Sequence, residues 1–307
     1  MATAAPVSEI QSLNQINYKS KIKALLLIVI LFCLFVMGFL NFYPFGDKIK
    51  SVIRTTLGAQ GCNPDFDEMR VEWFMPKLVV SNLNIPANCL NRAGDPLNFN
   101  HLTIKYQLIS FIPFGIPLKV ETEFSGQPLE FYIVQGLPNR TLRMKDQTIN
   151  LAKLKSFIGD QVKIDGNVVI DLTATLGNKL EKFNLFVQSK NVALPSQNIQ
   201  GFTTPPLKLN ELFIEAVSEI PPTIQINKFI LGDSNAPIRA NFRGKISLME
   251  GNPMMSPLDL AGEVAFSESF KDTLPLIDMI FQSFTQKDGF YQIQLGGTLG
   301  QPKPLQP

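Results

Sequence analysis

The chain of 307 residues holds one histidine, His101, and only three cysteines. That scarcity removes much chemistry at once. Histidine is the commonest general base and metal ligand, and one histidine without a paired C-x-x-C does not supply the usual ligand set of a zinc site. No H-E-x-x-H, G-x-S-x-G or P-loop pattern occurs. His101 opens the alternating run HLTIKY, where a lone histidine reads as structural. The acids of GDQVKIDG and LGDSN fall at turns, where Asp and Gly set backbone geometry. The expectation is therefore a non-enzymatic protein with no cofactor and no metal.

Charge of one sign is also missing. The 28 basic and 26 acidic residues leave a net charge of +2. No strong field exists to gather nucleic acid, so none is expected as a partner. Low-complexity blocks are absent; 22 prolines and 20 glycines are spread as punctuation, which argues against disorder. A second long apolar run is absent too. The nearest candidate, YQLISFIPFGIPLKV, is broken by Pro113, Gly115 and Pro117, so a multi-span protein is excluded.

One long apolar run is present. Ala24 to Tyr43 is twenty residues with only Asn41 clearly polar. A helix of that length spans roughly 30 Å, the hydrocarbon thickness of a bilayer. Cleaved signals have apolar regions of about 7–15 residues ending in small residues, whereas this run exits through NFYPFG. A core helix would not be apolar on every face behind Lys19, Lys21 and Lys23. The reading is an uncleaved anchor carried by residues such as Ala24, Leu31, Phe35, Leu40 and Tyr43, with a cleaved signal as the alternative. The flanking lysines place the N-terminus in the cytoplasm. The expected division is a tail over 1–23, an anchor over 24–43, an external β-rich domain over 44–302 and a short tail over 303–307.

Cys62 and Cys89 follow the anchor. In an oxidising compartment they form a disulfide candidate; two buried thiols are the alternative. DKIKSVIRTTLG places Ile49, Val52, Ile53 and Leu57 at helical spacing before Gly58. Period-two alternation then dominates, as in Val168–Leu176, Ile238–Arg243 and Tyr291–Leu295. Similar runs cover Leu78–Val80, Leu102–Tyr106, Leu118–Phe124, Leu129–Ile133, Phe183–Val187, Ile224–Ile226 and Leu258–Val264. Such runs predict strands with one buried and one wet face. INLAKLKSFIGD and SESFKDTLPLIDMIFQSF read as helices, the second kinked or restarted at Pro275. The fold class is mainly β: one N-terminal transmembrane helix, then a long curled antiparallel sheet with two or three short helices. Asn139-Arg140-Thr141 fits a glycosylation sequon.

The order of these pieces carries a resemblance. The exit FYPFGDKIKSVIRTTLG leads to KLVVSNLNIP, NLAKLKSFIG, VKIDGNVVIDLTATLG and APIRANFRGKISLMEGNPMMSPLDLAGEVAF. The chain closes on GFYQIQLGGTLGQP, with Gly297, Thr298, Leu299 and Pro302 matching a G-T-L-x-x-P tail. This resembles the N component of bacterial type II secretion systems, the GspN family, and more distantly AsmA-like periplasmic proteins. The first resemblance implies an inner-membrane accessory protein, periplasmic in bulk, that contacts other secretion-system subunits. The second implies a curled sheet with an apolar inner face that shields phospholipid or lipopolysaccharide. Candidate wall residues for such a groove are Phe111, Phe114, Ile116, Phe131 and Ile133. A closed sandwich core built from the same residues is the competing expectation.

Overall fold

The computed structural model describes residues 26–36, 38–39, 45–58, 61–72, 77–90, 96–107, 115–136, 138–154, 163–177, 179–199, 202–218, 222–249, 252–274 and 276–305. Residues 26–36 and 38–39 are helical and expose apolar side chains, Leu31 and Phe35 among them. Seven consecutive exposed apolar residues, 26–32, leave no polar side on that stretch. Among the described residues no helix is long and apolar enough to cross a membrane. The anchor positions Ala24, Leu40 and Tyr43 lie outside the described residues.

Helix α1, Phe45–Gly58, runs beside the first strand. A methyl group on Gly46 would come within 2.4 Å of the Met69 carbonyl oxygen, so only glycine allows this approach. Lys50 and Arg54 lie over the buried Phe66 ring, and Arg54 pairs with Asp65 at 3.3 Å. Ile49 and Ile53 are half-buried, but Val52 is exposed and does not belong to the packed stripe. The Cys62 and Cys89 sulfurs are bonded, and 27 positions separate the two residues. Closing a loop of that size stabilises by about 3.5 kcal/mol in the chain-entropy account.

The strands follow as β1 Glu68–Glu72, β2 Lys77–Ile85, β3 Leu97–Tyr106, β4 Gly115–Phe124, β5 Gln127–Gly136 and β6 Arg140–Asn150. Then come β7 Asn167–Leu176, β8 Leu180–Leu194, β9 Gln197–Ile199, β10 Phe202–Thr204, β11 Leu207–Ser218 and β12 Thr223–Leu231. The chain ends with β13 Ile238–Ser247, β14 Leu258–Phe266, β15 Gln286–Lys287, β16 Phe290–Thr298 and β17 Gln301–Leu305. Fifteen of these form one antiparallel sheet that follows chain order almost throughout, with only the β9–β10 hairpin outside it. At about 4.8 Å per strand the sheet runs roughly 60 Å along its curve.

The register keeps one face apolar across the sheet. Ile104, Val120, Phe131 and Ile133 continue through Leu142, Ala174, Phe183 and Ala216 to Phe242, Val264 and Tyr291. Paired residues of an antiparallel ladder share a face, which makes this surface continuous. Between β14 and β15 lie helices α2, Glu268–Thr273, and α3, Leu276–Phe281. Phe270 and Ile277 enter a cluster with Val168, Val187 and Leu209, and its margins reach from Leu129 on β5 to Phe266 on β14. The helix pair that follows β14 therefore shares one core with strands β6, β7, β8 and β11. The main core is thus sheet against helices, and no second large sheet is present among the described residues.

One expected helix is corrected. Ile149 belongs to β6 and pairs with Val168, and Leu151–Leu154 forms a 3-10 turn. The ladder to β7 holds this segment extended. Phe157 and Ile158 lie outside the described residues.

Both sheet edges are protected. Gly46 of α1 sits against β1, and Pro302 and Pro304 remove ladder donors from β17.

Candidate functional site

The apolar face of β3, β4 and β5 forms four cross-strand rows. From one end they are Tyr106–Leu118–Ile133, Ile104–Val120–Phe131, Leu102–Thr122–Leu129 and Phe99–Phe124–Gln127. Beyond the first row stands Ile116, opposite Gln135. Burial grades along β4. Ile116 is 52% exposed, Leu118 is half-buried, and Val120 and Phe124 are each 2% exposed. Phe131 and Ile133 are half-buried beside Val120 and Leu118. The result is an apolar surface open at the Ile116 end and closed at the Phe124 end. Among the described residues the helix-covered cluster reaches this region at its margin, through Leu129. Of the five expected wall residues, Ile116, Phe131 and Ile133 share this face; Phe111 and Phe114 lie outside the described residues.

The opposite face of the same strands is a charge ladder. Glu121 pairs with Lys105 and, at 3.1 Å, with Lys119. Lys119 pairs with Glu130 at 2.7 Å, and the Tyr132 hydroxyl donates to Glu130. Hydrogen bonding from Lys105 holds the Glu121 carboxyl below the usual carboxylate range, and Lys119 does the same for Glu130. The Glu130 carboxylate raises Lys119 and Tyr132 above their ordinary values. A depressed carboxylate contributes stability above its unfolded value and loses it as pH falls through the folded one. A raised lysine contributes below its unfolded value and loses it in strong alkali. The melting temperature is expected to be flat from about pH 6 to 9 and to fall below about pH 4.5. Glu121→Gln with Glu130→Gln should flatten the acid limb in thermal melts; an unchanged limb would remove the ladder as its cause.

His101 lies exposed on this outer face with its Nε2 2.6 Å from the Thr103 hydroxyl. The side-chain N–H of Asn139 in the sequon is engaged: it donates to Glu181 at 2.6 Å, fastening the β5–β6 turn to β8. Asp233 of LGDSN accepts from the Asn235 N–H and the Asn210 amide, a turn role. Among the described residues no group of three His, Cys, Asp or Glu side chains could hold a metal ion.

Comparisons of the chain with protein-family models, with curated proteins and with solved structures found no match.

Proposed function

We propose that this chain is a non-enzymatic protein of the bacterial inner membrane whose periplasmic sheet shelters the acyl chains of phospholipid or lipopolysaccharide. The single observation behind this reading is the graded apolar face of β4, open at Ile116 and closed at Val120 and Phe124. An acyl chain entering at Ile116 would pass Leu118, Ile133 and Phe131 and replace water there. Each buried methylene would contribute about 0.8 kcal/mol. The apolar helical residues 26–36 ahead of α1 support an anchor that keeps the mouth near a membrane. Native mass spectrometry from mild detergent tests the reading. Retained phospholipid or lipopolysaccharide is the expected result; a lipid-free chain, beside a lipid carrier that keeps its cargo, overturns it.

A second reading, accessory subunit of a type II secretion system, is favoured by a different feature. Met249, Met254, Met255 and Leu299 are exposed together on two turns. The Leu299 and Gly300 N–H groups donate to Ser256 and Met254 at 2.9 and 2.8 Å, which fixes one turn on the other. Flexible methionines suit a protein-docking surface. Co-purification with inner-membrane secretion subunits, lost in the double variant Met254→Asp and Met255→Asp, is the expected outcome. Equal recovery with the variant would remove this tip as the contact.

A further inference from the structure

The wet face at the far end of the sheet carries a depression of about 520 Å³. Two cross-strand rows build it. Asn241, Glu263 and Gln292 stand side by side on β13, β14 and β16, and Arg243, Ala261 and Gln294 form the next row. Five polar side chains therefore surround the single methyl of Ala261, which makes the floor. Leu305 of β17 adds an apolar flank.

Charge in this patch is handled differently from that of the lysines that meet partners elsewhere on the outer face. Lys105, Lys119 and Lys245 each meet a carboxylate. Arg243 and Glu263 are diagonal neighbours, yet neither has an ion-pair partner among the described residues. The Asn241 Oδ1 is buried with no donor. Gln294 gives its amide N–H to Asp259 at 3.4 Å and keeps its carbonyl free for another donor. A buried, unpaired acceptor costs about 1–3 kcal/mol unless something satisfies it.

A simple anion here would meet Glu263, and a simple cation would meet Arg243. Hydroxyl groups serve both, because each donates and accepts. A ring bearing several adjacent hydroxyls could donate to Glu263 and to the Gln294 carbonyl while accepting from Arg243 and Gln292. Its C–H face would rest on Ala261 and Leu305. We propose that this depression binds a sugar residue of a glycan chain. The site lies on the face opposite the Ile116 mouth and does not depend on the lipid reading.

Saturation-transfer NMR on the full chain in a sugar-free detergent tests it. The probes are the trimer of N-acetylglucosamine, maltotriose and trigalacturonate. At least one should receive saturation from the wild-type protein. Ala261→Trp fills the floor from the solvent side and should weaken that binding roughly tenfold or more. Glu263→Gln keeps the shape and removes the charged acceptor, so it should weaken binding with an unchanged circular dichroism spectrum. No saturation of any probe, or equal signals from wild type and both variants, overturns the proposal.

Discussion

Phe131→Asp is expected to lower the lipid bound to the purified protein roughly tenfold or more. Phe131 is opposite Val120 in the second row of the apolar face, half-buried between the exposed Ile116 end and the closed Phe124 end. A carboxylate there must either stay hydrated, which keeps water in the mouth, or lose its water against acyl chains, which costs several kcal/mol. Both routes oppose lipid. Arg143→Asp is the matched control: Arg143 is opposite Tyr132 on the exposed charged face of the neighbouring strand. It should leave the lipid content unchanged. Ile116→Asp guards against a folding artefact, because Ile116 is already exposed and its replacement should not weaken the core. Lipid mass per chain, read by native mass spectrometry, should fall in both mouth variants. Retention of lipid in both would place it elsewhere.

The strands were legible where alternation is clean. Val168–Leu176 and Ile238–Arg243 read as strands because apolar residues alternate along each; Val168, Ala174, Ala240 and Phe242 are buried, while Leu176 at the end of its stripe is exposed. β11 is harder to read, since register shifts around Asn210 and Glu215 interrupt the alternation with β8 and β12. Asn210 takes a positive φ of 63° there, a conformation asparagine tolerates better than most residues. β17, with two prolines in five residues, carries no strand signal and is held only because it lies at an edge. Ile149, Leu151 and Leu154 imitate helical spacing, yet the β6–β7 ladder claims the first of them. Of the candidate site, the residue types were legible and their arrangement was not. Ile116, Phe131 and Ile133 look alike in sequence; only the β4–β5 register and the gradient of burial make one end a mouth. The outer depression was invisible, because Asn241, Arg243, Glu263, Gln292 and Gln294 come from three strands and each reads as an ordinary wet-face residue.

Removal of the Phe270 ring should cost about 3–5 kcal/mol, the range for Phe→Ala in a packed core. The helix pair has little stability of its own. α2 and α3 are six residues each, far below the length at which an isolated helix persists in water. Ser267 caps α2 by accepting from the Phe270 N–H at 3.3 Å, worth about 1 kcal/mol. The rest of the attachment is apolar: Phe270, 6% exposed, and Ile277 enter the cluster with Val168, Val187 and Leu209. Phe266 connects this cluster to the next one, its ring centroid 6.0 Å from Phe270 and 5.0 Å from Phe281. Without the Phe270 ring, α2 loses its deepest contact and the sheet beneath loses its cover. Denaturant unfolding of Phe270→Ala measures the loss, and hydrogen exchange over 268–281 locates it. Met279 on α3 is exposed, so Met279→Ala should change stability by less than about 0.5 kcal/mol. Similar small losses for both variants would mean that the helix pair rests on the sheet without holding it, and that the apolar face there is closed by something other than α2 and α3.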